Sequence, residues 1–148
     1  GDAFNRTYFQ TLIDLYNLKS RLRHLRNETV NFSPKFVDGG TFNESSVETL
    51  DSTLLMFERL DGVGYWGDAL ELFRETGNFT KIDSKSADYL LTVARQGSYD
   101  MFSSASLVLY YLKCQQAAVN IRTIVVGKNS GLDASAIRDN LRMAYVND

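Results

Sequence analysis

The stretch Leu107-Val108-Leu109-Tyr110-Tyr111-Leu112-Lys113-Cys114-Gln115-Gln116-Ala117-Ala118-Val119-Asn120-Ile121-Arg122-Thr123-Ile124-Val125-Val126 decides the fold. Within it Leu107, Tyr111, Cys114, Ala118, Ile121 and Val125 recur every three or four residues, the step that lines side chains along one face of an α-helix. Val108, Leu112, Val119 and Val126 widen the apolar arc. The helix is therefore expected at the centre of the core, with Ile121 on its buried face and Cys114 as a core thiol. Thr123-Ile124-Val125-Val126 is β-branched enough for a strand, but no partner strand occurs elsewhere and the run continues the helical period. Ser103 or Ser104 opens this helix. Gly127 to Gly131 ends it, and Asp133 caps a last helix expected to turn Ile137, Leu141 and Tyr145 inward.

Upstream the same period returns. Phe4, Tyr8, Leu12, Leu15, Leu18, Leu22 and Leu25 step along a helix that ends near Arg26. Residues 27–40, with Pro34 and Gly39-Gly40, read as a loop. Ser45 with Glu48 forms a capping box for a second helix lined by Val47, Leu50, Leu54 and Phe57 and closed by Asp61-Gly62. Residues 62–67 read as an irregular link, followed by a short helix from Asp68 to Thr76 that stops at Gly77. Asp83 caps the next helix, with Ala87, Leu90, Leu91 and Ala94 apolar and Gly97 at its end. The fold class is all-α, a helical bundle.

Composition narrows the function. The chain has 148 residues, 44% of them apolar and 23% charged, and a net charge of -2 with a pI near 5.4, which argues against a nucleic-acid partner. No apolar run approaches the roughly 20 residues that span a bilayer, and no secretory leader opens the chain. A single cysteine, Cys114, forms no internal disulfide, so a reducing, cytoplasmic setting is expected. Sequons at Asn5, Asn27, Asn31, Asn43 and Asn78 are read as coincidence in the absence of a leader.

The search for chemistry returns mostly negatives. Gly127-Lys128 is no phosphate loop, because Arg122 stands where the first glycine belongs, Asn129 where Ser or Thr belongs, and a helix precedes it. His24 has no partner at zinc-ligand spacing, and neither it nor Cys114 sits in a nucleophile motif. Glu44, Glu48, Asp51 and Glu58 read as a solvated helix face. No catalytic, metal or cofactor-binding residue and no small-molecule substrate is expected. One surface feature stands out: Lys19, Arg23 and Arg26 form a basic stripe beside Arg21 and His24. Cations suit a helix C-terminus through its macrodipole, and the same stripe would dock an acidic partner. In the docking reading, reversing all three to Glu is expected to weaken the partner at least about tenfold while leaving melting almost unchanged.

An internal echo links Asn17-Leu18-Lys19-Ser20 with Asn120-Ile121-Arg122-Thr123, each late in a long helix and each followed by a glycine-containing loop. The second copy opens a longer motif, Asn120, Ile121 and Arg122, then Gly127-Lys128, then Gly131-Leu132 before Ile137-Arg138-Asp139-Asn140-Leu141. This motif resembles the last part of the C subunit of archaeal and bacterial V-type (A-type) ATP synthases, equivalent to the d subunit of the eukaryotic vacuolar proton pump. Upstream, Arg6-Thr7-Tyr8-Phe9, Asn17-Leu18-Lys19, Phe36-Val37-Asp38-Gly39-Gly40 and Asp88-Tyr89-Leu90 resemble the family more loosely but in the same order. Ser103-Ser104-Ala105 departs from it, standing where the family more usually has a proline- or glycine-bearing segment.

The resemblance implies a chain of three similar helical domains, more than twice this length, of which residues 1–148 would be the C-terminal portion. Residues 1–60 would then end the preceding repeat and 61–148 form the last one. It also implies a non-catalytic, funnel-shaped socket on the cytoplasmic face of the membrane, receiving the central stalk and resting on the rotor ring, so that ATP turnover is coupled to proton or sodium transport. The alternative is a helical scaffold or regulatory module unrelated to ATPases.

Overall fold

The computed structural model describes residues 3–26, 34–61, 63–100 and 102–142. Among them the regular elements are helical and no strand occurs: α1 (Ala3–Arg26), a 3-10 turn (Glu44–Val47), α2 (Leu50–Asp61), α3 (Val63–Thr76), α4 (Thr80–Gly97), α5 (Ala105–Asn129) and α6 (Ala134–Asp139). The all-α class follows from the apolar periods read above. The chain divides into two compact units, residues 6–83 and residues 2–5 with 84–148. This is a division by spatial contact, whereas the boundary expected near residue 60 concerns repeats of sequence.

Unit 1 is built on large buried side chains. In it α1 buries Tyr8, Leu15, Leu18 and Leu22, while Leu12 on the same period stays exposed. α2 packs against α3, where the Phe57 and Trp66 rings, both fully buried, lie 5.1 Å apart. The expected link at residues 62–67 is instead helical from Val63 onward. Gly64 and Gly67 have open space around them and no steric need to be glycine. Each costs roughly 1 kcal/mol in a helix, and burial of Trp66 at the α2–α3 contact contributes a few kcal/mol against that.

The cap of α2 also lies one turn later than expected. The Thr49 N–H donates to Ser52 Oγ at 3.1 Å and the Ser52 N–H donates to Thr49 Oγ1 at 3.2 Å, so the reciprocal pair is Thr49–Ser52 rather than Ser45–Glu48. Gly77 ends α3 at φ 71°, a conformation that favours glycine.

Unit 2 has a thinner core of Phe4, Leu91, Ala94, Ala105, Leu112 and Ile137. Gly97, expected as a helix end, also makes room: a Cβ there would strike the Phe4 ring. α5 packs on α6, with Gly127 buried against Ile137. The end of α5 is a Schellman motif. The Gly131 N–H donates to the Lys128 carbonyl at 3.1 Å, the Leu132 N–H to the Gly127 carbonyl at 3.0 Å, and Gly131 takes φ 72°. Asp133 caps α6 as expected, accepting from the Ala136 N–H at 3.0 Å. Ile137 turns inward, Leu141 is half-buried, and Tyr145 lies outside the described residues.

One expectation is overturned. The face of α5 carrying Leu107, Tyr111, Ile121 and Val125 is exposed, at 76%, 60%, 63% and 51%, and Cys114 on the same face is exposed too. The buried face is the opposite one, holding Ala105, Leu112, Gln116, Asn120 and Gly127. Ile121 is therefore no core residue and Cys114 no core thiol. α5 is apolar on both sides, and periodicity alone could not say which side the rest of the unit covers.

Candidate functional site

The basic stripe lies on the last two turns of α1, and all three of its side chains are engaged within unit 1. Lys19 Nζ lies 3.0 Å from Asp83 Oδ1 and Arg23 Nη2 lies 2.9 Å from Asp83 Oδ2, so a single carboxylate in the first turn of α4 holds two cations. The Arg23 guanidinium also stacks 4.3 Å from the Phe79 ring centroid. Arg26 reaches the end of α3, donating to the Phe73 carbonyl at 3.2 Å and lying 5.4 Å from the Phe73 ring centroid. Phe73 and Phe79 meet edge to face at 5.7 Å. A Cβ on Gly77 would collide with the Arg26 guanidinium, so that glycine serves the stripe as well as the turn.

This arrangement ties the end of α1 to the α3–α4 junction. Charge reversal would place carboxylates beside Asp83, so the stripe cannot be inverted without cost to folding. Arg23 and Arg26 nevertheless keep outer sides that are open to a partner.

The residues of the C-terminal motif take separate structural duties. Asn120 is buried and grips the backbone of Arg142: its Nδ2 donates to the Arg142 carbonyl at 3.0 Å and its Oδ1 accepts from the Arg142 N–H at 2.9 Å. Asn17 in unit 1 makes the same pair of bonds with Val37, at 2.8 and 3.0 Å. The two asparagines of the internal echo thus perform one task, each holding a segment about twenty residues downstream. Gly127 admits Ile137, while Gly131 and Leu132 complete the Schellman turn. Ile121, Arg122 and Lys128 point outward and are exposed.

Sequence reasoning missed Asp14, Asp83 and Gln116. Asp14 is 1% exposed and accepts from the Thr41 N–H at 2.8 Å and the Thr41 hydroxyl at 2.6 Å, and a Cβ on Gly40 would strike its carboxylate. Asp83 reads only as a cap in the sequence, and nothing in its position shows the two cations it holds. Gln116 is 3% exposed, and neither amide atom finds a partner among the described residues. Of the two residues weighed for a catalytic pair, Cys114 is exposed on α5 and His24 is half-buried on α1. Among the described residues no cluster of His, Cys, Asp and Glu has the makings of a metal site, and no helix is long and apolar enough to cross a membrane.

A family model described as ATP synthase (C/AC39) subunit matches residues 1–140. No curated protein and no solved structure matches the chain. The family match runs through both compact units and takes in the two echo asparagines, Asn17 and Asn120, and the whole Gly127–Leu132 turn. The chain belongs to the ATP synthase (C/AC39) subunit family of V/A-type ATP synthases.

Proposed function

We propose that this chain is a non-catalytic coupling element, standing between the soluble ATPase head and the membrane rotor ring and transmitting ATP turnover to proton or sodium movement. The observation that carries the proposal is the family match over residues 1–140. An all-helical body with a long helix apolar on two sides supports it, as a part made to be enclosed by neighbours. In this reading the central stalk and the ring are the partners, the protein is peripheral on the cytoplasmic face, and no cofactor takes part. The outer sides of Lys19, Arg23 and Arg26 offer positive charge to an acidic patch on the stalk foot or ring, a contact suited to fast, salt-sensitive association.

Affinity purification of the tagged full-length protein from its own cells tests this. Recovery of stalk and ring proteins, with ATP-driven ion pumping lost on deletion and restored by the wild-type gene, is the expected result. Recovery without any other part of the ATPase would refute it. For the stripe, Arg23→Gln with Arg26→Gln is the suitable probe, since it removes the outward charge without setting a carboxylate beside Asp83.

A further inference from the structure

The open face of α5 has the geometry of a coiled-coil seam. Leu107, Tyr111, Cys114, Ala118, Ile121 and Val125 follow the spacing 4-3-4-3-4, the alternation of a heptad's two inward positions. At 3.6 residues per turn they fall in a strip roughly 80° wide and about 27 Å long, opposite the buried Leu112, Gln116 and Gly127. The strip is open along its length, and its middle is small, so a second helix can approach closely at Cys114 and Ala118.

The charges of α5 specify the second helix. They are Lys113, Arg122 and Lys128, all cations, and α5 contains no Asp or Glu. Arg122 occupies a flanking heptad position, of the kind whose charge selects partners, and Lys128 stands at the next inward step beyond Val125. Both are exposed, and neither is in an ion pair among the described residues. The macrodipole accounts for Lys128 in the last turn but not for Arg122, two turns from the end of the helix. A second copy of α5 would bring no carboxylate to either.

We propose that the outer face of α5 receives a single amphipathic helix of a partner protein, with an apolar heptad stripe of its own and Asp or Glu beside Arg122 and Lys128. This goes beyond the coupling role and requires only a helical, acid-flanked partner.

The test uses the full chain and a synthetic three-heptad peptide with Leu at the two inward positions and Glu at the flanking ones, beside a control with Lys for Glu. Fluorescence anisotropy should show the Glu peptide binding at least about tenfold more tightly than the Lys peptide, equivalent to about 1.4 kcal/mol. The preference should shrink as salt rises. The Glu peptide should also slow alkylation of Cys114 by a similar factor. Ile121→Asp should abolish binding, and Arg122→Glu, a surface change that keeps the fold, should shift preference toward the Lys peptide. Equal affinity for both peptides, binding of neither, or self-association of the chain abolished by Ile121→Asp would overturn the proposal. Peptide binding by a chain that recovers no other ATPase protein would leave this proposal standing and sink the coupling role. Assembly into the ATPase with both peptides ignored would do the reverse.

Discussion

Helices α1 and α5 are nearly equal in length, 24 and 25 residues, and each carries one asparagine clamp, yet they divide their surfaces in opposite ways. On α1 Tyr8, Leu15, Leu18 and Leu22 are covered while Phe9, Leu12 and Tyr16 stay exposed, and the charged side is anchored to Asp83 and to the Phe73 carbonyl. On α5 the covered side holds polar Gln116 and Asn120, while Leu107, Tyr111, Ile121 and Val125 face outward. The cores differ in step with this. Of the largest fully buried side chains, Leu91 alone belongs to unit 2; Trp66, Phe57 and Phe73 are all in unit 1. Unit 1 exposes apolar side chains too, Phe9, Tyr16 and Leu55 among them, but it covers its largest ones, whereas unit 2 leaves a long apolar strip of α5 open.

The largest effect should fall in unit 1. Phe57→Ala removes a fully buried ring from the α2–α3 contact and should cost about 3–5 kcal/mol in denaturant unfolding. Leu112→Ala, beside the thinner core of unit 2, should cost nearer to about 2 kcal/mol. Equal losses would erase the contrast between the cores.

The two clamps sharpen the comparison next. Asn17→Ala and Asn120→Ala each remove two hydrogen bonds and leave backbone groups of Val37 and Arg142 without their partner, at about 1–3 kcal/mol each. Similar losses would mean that the echo is one device used twice. A large loss at Asn17 with none at Asn120 would mean that the C-terminal clamp is ornamental in the isolated chain.

Smaller still is the effect of Asp83→Asn, which loosens Lys19 and Arg23 at a partly exposed site. A loss of about 0.5–1 kcal/mol, fading as salt rises, is expected from thermal melts at two ionic strengths.

The least effect belongs to Asp133. The Ala136 N–H, and then the Ser135 hydroxyl, hold its carboxyl below the ordinary value of 3.8. Because the folded pKa is the lower one, this stabilisation is full above pH 3.8 and is lost as pH falls through the folded value. Hydrogen exchange in α6 should therefore quicken only in that acid range, and Asp133→Asn should remove the dependence.

Much of this was legible in the residues, because helix ends are local chemistry. Gly77 and Gly131 stop helices by taking positive φ, and Asp133 caps by accepting one N–H; neither needs distant parts of the chain. The echoed asparagines were legible too, since Asn17 and Asn120 are the residue type that grips a backbone donor and acceptor at once. Tertiary choices were not legible. Glycines at 64 and 67 argue for a link until Trp66 finds Phe57, and Lys19 and Arg23 read as a free stripe until Asp83 arrives from 60 or more residues away. The face of α5 was illegible for the same reason. A helix with apolar residues on opposite sides has no single inside marked by its period, and its covering depends on neighbours that its own pattern does not encode.

Which side of α5 is the inside is best decided by thermal unfolding of Leu112→Asp beside Ile121→Asp in the full chain. With Leu112 buried and Ile121 63% exposed, Leu112→Asp should lose several kcal/mol or fail to fold, because it buries an unpaired carboxylate. Ile121→Asp should melt within about 0.5 kcal/mol of wild type. Unfolding by Ile121→Asp, with Leu112→Asp tolerated, would contradict the inside-out reading of α5 and return its heptad stripe to the core.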